Sequence, residues 1–100
     1  MESKTLEPFE DAAQRIVELG NRLADTDPDA DVWELADGLL AGAVHFWLYA
    51  RQPCENPSCQ DCADVSTAAL RLSQLLESTK EFAESSEYYH CPNDRDVGRA

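Results

Sequence analysis

The sequence predicts an all-α fold, an antiparallel three-helix bundle with an irregular C-terminal tail. Two observations carry this: apolar residues recur at three- and four-residue steps in three separate segments, and proline- and aspartate-rich turns part those segments. The helices are expected over about 6–25, 31–52 and 60–85, with a tail over 86–100. The chain of 100 residues is the size of one domain, so a single helical domain over 1–100 is expected, its bundle about 5–85.

In the first helix Thr5 is the expected N-cap, Pro8 is tolerated in the first turn, and Glu7, Glu10 and Asp11 suit the positive helix end. Phe9, Ala13, Ile16, Gly20 and Leu23 then form an apolar stripe. The segment Asp25–Asp31 reads as a turn, with Pro28 at its centre and several residues able to cap a helix. Asp31 with Glu34 has the spacing of a capping box and opens the second helix. That helix is apolar almost all round from Leu39 to Ala50, which places it centrally, and Gly38 and Gly42 offer a site for a close helix crossing.

Pro53 and Pro57 exclude continuous helix through 52–62, and Ser58 with Asp61 is the expected cap of the third helix. Val65, Ala69, Leu72, Leu76, Thr79 and Ala83 mark that helix's apolar stripe. Short connections make neighbouring helices antiparallel.

Acidic residues outnumber basic ones 20 to 8, for a formal charge of −12. Such a field repels phosphate backbones and anionic bilayers, so neither nucleic acid nor membrane is an expected partner. Acidic outer helix faces keep a small protein soluble and leave basic proteins or cations as partners, while the aromatic cluster Phe46, Trp47 and Tyr49 on the second helix reads as core or dimer contact, so a protein partner or self-association, including a homodimer, is expected. The N-terminus has no apolar leader segment, and the longest apolar stretch, Leu39 to Ala50, is too short to span a bilayer. A cytoplasmic location is therefore expected, and with it reduced cysteines.

Chemistry concentrates in Cys54, Cys59 and Cys62, spaced C-x4-C-x2-C between the second and third helices. Thiolates are soft, charged donors, and a two-residue gap lets two sulfurs reach one ion, so these three are the predicted metal ligands, with zinc as the expected ion. A helix N-terminus at this point would favour thiolate over thiol.

Cys91 and His90 are secondary ligand candidates. With Cys91 the spacing becomes C-x4-C-x2-C-x28-C, which is similar to that of plant-type [2Fe–2S] ferredoxins. The similarity covers four residues, and helical periodicity from Val65 to Ala83 sets it apart from that sheet-rich fold. A third helix of about 33 Å also outreaches the seven steps from Glu84 to Cys91, which span at most about 25 Å. A second subunit in an antiparallel dimer is the alternative donor of Cys91 or His90.

His45 stands nine residues before Cys54 on the second helix and reads as a core or interface histidine. The run Asp25, Asp27, Asp29, Asp31 lacks the glycine and terminal glutamate of a calcium loop and reads as turn and cap chemistry. No phosphate-binding glycine loop, nucleophile elbow or paired His–Glu metal helix occurs. The sequence thus predicts a non-enzymatic interaction or regulatory protein with a zinc-binding cysteine turn. The alternative is a small thiol-redox or iron–sulfur protein using the same cysteines.

Overall fold

The computed structural model describes residues 6–92 and 94. Among the described residues three α-helices occur in the order α1 (Pro8–Thr26), α2 (Val32–Ala50) and α3 (Ala68–Ser85), with a short 3-10 turn at Ala63–Val65 before α3. No strand is present among the described residues. The fold is therefore all-α. The chain divides into two compact units between Phe46 and Trp47.

In the first unit, Pro8 opens α1, its fixed φ suiting the first helical position, and Glu7 stands at the N-cap with extended backbone. The expected cap Thr5 lies outside the described residues. The aspartates that follow α1 act on backbone. Asp27 Oδ1 accepts from the Asp29 amide at 3.2 Å, and Asp31 Oδ1 accepts from the Trp33 amide at 2.9 Å. The second bond is an N-cap, and it fixes the start of α2 where the capping signal predicts it.

The expected close crossing at Gly38 and Gly42 is not formed, since a Cβ at either position would meet nothing within 4 Å. The close approach occurs instead at Gly20, where a Cβ would stand 2.9 Å from Leu39 Cδ1. Around it the half-buried residues are Leu19, Gly20 and Ala24 on α1 and Leu35 and Leu39 on α2.

In the second unit, α2 ends at Ala50, two residues before its predicted limit. Pro53 restricts the residue ahead of it, and Gln52 turns back so that its Nε2 donates to the Leu48 carbonyl at 3.1 Å. The Arg51 guanidinium stacks 3.9 Å from the centre of the Trp47 ring.

The third helix begins at Ala68 and not near residue 60. Ser66 and Thr67 explain the delay, because short hydroxyl side chains compete with the helix for backbone partners. Ser66 Oγ donates to the Ala63 carbonyl at 3.0 Å, while Thr67, extended at φ −127° and ψ 160°, accepts from the Leu70 amide at 3.1 Å. Thr67 is the N-cap, in place of the predicted Ser58 and Asp61.

The shielded face of α3 also differs from the apolar stripe. Arg71, Gln74, Leu75 and Ser78 are half-buried, whereas Leu72 and Leu76 are 52% and 60% exposed. Arg71 accounts for part of the shift, since its Nη1 donates to the Val65 carbonyl at 2.8 Å and turns this face toward the 3-10 segment. Among the described residues none is fully buried.

Candidate metal centre

The segment between α2 and α3 folds as a chain of tight turns. Asn56 organises the first, its Oδ1 accepting from the Ser58 amide at 2.9 Å and its carbonyl from the Cys59 amide at 3.0 Å. This is asparagine's usual turn chemistry, and Pro57 between the partners supplies a fixed φ. Three further i→i+3 bonds follow, from the Ala63 amide to the Gln60 carbonyl at 3.2 Å, from the Val65 amide to the Cys62 carbonyl at 3.0 Å and from the Ser66 amide to the Ala63 carbonyl at 3.4 Å.

These turns bring Cys54, Cys59 and Cys62 together, with all three sulfurs within 4.8 Å of one another. Cys59 and Cys62 therefore reach their positions from turns that precede α3, not from its first turn as expected. The Cys54 amide donates to Cys62 Sγ at 3.3 Å, and the Cys54 thiol approaches the Asn56 carbonyl at 3.8 Å. Cys54 is exposed and the other two are half-buried. An open cleft of about 740 Å³ adjoins the sulfurs, and its lining includes Pro53, Pro57, Ser66 and Thr67.

The three thiols differ in acidity. Hydrogen bonds from the Cys62 thiol, the Cys54 thiol and the Cys62 amide hold Cys59 below the ordinary thiol range. For Cys62 the Cys54 amide pulls downward, but the sulfurs of Cys59 and Cys54 together outweigh it, and the net displacement is upward. Cys59 is thus the first of the pair to ionise. A lowered thiol beside a second one suits both metal ligation and nucleophilic attack.

Cys91 and His90 stand elsewhere in local contact with Asp94. The Cys91 thiol donates to Asp94 Oδ1 at 3.0 Å and its amide to Oδ2 at 2.8 Å, while His90 Nδ1 lies 3.5 Å from Oδ2. Cys91, through its thiol first and then its amide, keeps the Asp94 carboxyl below its usual range, with His90 adding to the effect. Asp94 is the residue that sequence reasoning missed here. The H-C-x-x-D spacing, a short acceptor three residues after a turn amide, is the signal that could have found it.

No helix among the described residues is long and apolar enough to cross a membrane. No protein-family model, curated protein or solved structure matches the chain.

Proposed function

We propose that this chain is a small, acidic, non-enzymatic interaction or regulatory protein whose cysteine turn holds a zinc ion. The observation that carries the reading is the mutual approach of three thiols within 4.8 Å. Tetrahedral zinc with Zn–S bonds of ~2.3 Å needs sulfurs about 3.8 Å apart, so a contraction of about 1 Å at most brings these into place. Ligation requires the thiols to lose their protons, and a divalent ion offsets the repulsion among the thiolates so formed, so zinc uptake releases protons to solvent. A reducing, cytoplasmic setting keeps them available.

The interaction role rests on the faces left open. Trp33 is 81% exposed, and Leu72 and Leu76 form an exposed pair one turn apart on α3. Apolar groups gathered on a helix face are suited to a protein partner or a second copy of the chain. The charge of −12 disfavours nucleic acid and anionic membranes as that partner.

A second reading is favoured by the lowered Cys59 thiol beside Cys62, which suits a thiol–disulfide couple. Metal analysis of freshly purified, reduced protein separates the two. One zinc per chain, with the three turn thiols protected from a thiol reagent until a chelator is added, is the expected outcome. Metal-free protein in which Cys59 and Cys62 oxidise reversibly to a disulfide would replace the zinc reading with the redox one, and brown, iron-containing protein would point to a cluster.

A further inference from the structure

The ligand set in the cleft stops at three. Among the described residues no histidine or carboxylate joins Cys54, Cys59 and Cys62 within reach of a common ion. Zinc takes four donors, and sites with three protein ligands keep the remaining position for an exchangeable one. We propose that this fourth position opens into the cleft and takes a neutral donor from outside the turn: water in the isolated protein, and the imidazole of an incoming partner when one is docked. The proposal rests on the zinc reading above and names the chemistry that the partner must bring.

Room and charge decide the donor. A cleft of about 740 Å³ admits a side chain or a small ligand. A divalent ion with three thiolates carries a net charge of −1. An anionic fourth donor would take the centre to −2, and the residues lining the cleft include no lysine, arginine or histidine to offset it. The charged liner is Glu55, and the uncharged polar liners are Asn56, Ser58, Gln60, Ser66 and Thr67. The whole chain adds a further repulsive field at −12. A neutral nitrogen donor escapes every one of these penalties, and imidazole is well matched to zinc.

Cobalt(II), a coloured substitute for zinc, makes the position visible. The cobalt-loaded protein is titrated with imidazole and, separately, with azide at constant ionic strength, since both ligands bind through nitrogen and differ in charge. The expected result is a saturable shift of the visible cobalt bands by imidazole, about tenfold or more tighter than any shift by azide, the scale of one extra like-charge contact. Cobalt bands that neither ligand moves would show a closed site and overturn the inference while leaving the metal reading intact. Azide binding as tightly as imidazole would overturn the charge argument. Failure to develop any thiolate-to-cobalt absorption would instead remove the metal reading itself, and this inference with it.

Discussion

The backbone amide of Cys54 donates to the sulfur of Cys62 at 3.3 Å, joining residues eight positions apart. The bond closes the turn on itself and supplies a donor to a sulfur that neighbouring thiols push toward protonation. Cys62 is therefore the acceptor that holds Cys54 in place, and the proposed zinc site would give it a second task as ligand. Cys62→Ser should lower zinc affinity by more than the ~10–100-fold that loss of an outer partner costs. Cys91→Ser, which alters only a thiol bonded to Asp94, should leave stoichiometry and affinity unchanged. Competition with a zinc-sensitive dye reads both; equal losses in the two variants would place Cys91 at the centre.

The unequal acidities predict unequal reactivity. In the metal-free protein Cys59, held below the ordinary thiol range, carries more thiolate near neutrality than Cys62 and should be alkylated before it. Lowering the pH protonates it and removes that advantage. Cys62, displaced upward, is the later of the two to lose its proton, so zinc affinity should keep rising as pH increases beyond neutrality. Mass spectrometry of partly alkylated protein at several pH values checks the order. Cys62 reacting before Cys59 would contradict it.

Helix positions were legible in the sequence wherever a backbone-specific residue marked them. Pro8, Asp31 and Pro53 each act through a local constraint or bond, and each stands at or within three residues of a helix limit. The cysteine cluster was legible for the same reason, because a two-residue gap and a proline-rich turn restrict where the sulfurs can go. The start of α3 was not. Ser58–Asp61 and Thr67–Leu70 both offer a capping oxygen three residues ahead of an amide, and only the turns at Asn56, Gln60 and Cys62 decide between them. The shielded face of α3 was misread because periodicity ranks Leu72 and Leu76 by hydropathy alone. It cannot register that the Arg71 guanidinium has a carbonyl to reach at Val65.

Gly38 and Gly42 give a test of self-association that is independent of metal. Glycine inside a helix costs roughly 0.5–1 kcal/mol relative to alanine, and a Cβ at either position meets nothing within 4 Å. Gly38→Ala and Gly42→Ala should each stabilise the protein by up to about 1 kcal/mol, measured by urea unfolding at low protein concentration. If a second copy packs closely on this surface, the gain should vanish or reverse at high concentration, where sedimentation reports a dimer. Destabilisation at low concentration would mean that the open space at these glycines is filled within the chain itself.

Arg71 connects the stability of α3 to the geometry of the centre. Its guanidinium holds the Val65 carbonyl at 2.8 Å, and Val65 in turn donates its amide to the carbonyl of Cys62 at 3.0 Å. Arg71→Leu keeps the apolar stem and removes the donor. Hydrogen bonds to charged groups contribute about 1.5–3 kcal/mol when well shielded, and at this half-buried position a loss of about 1–2 kcal/mol is expected. The same change loosens the 3-10 turn that follows Cys62, so zinc affinity should fall by about 10-fold although no ligand is altered. Thr67→Ala is the comparison, because it removes the cap at Leu70 and costs about 1 kcal/mol without touching the bond at Cys62. Chelator competition alongside thermal unfolding separates the two effects. Equal affinity losses in both variants would assign the change to general destabilisation of α3, and would remove Arg71 from the support of the metal centre.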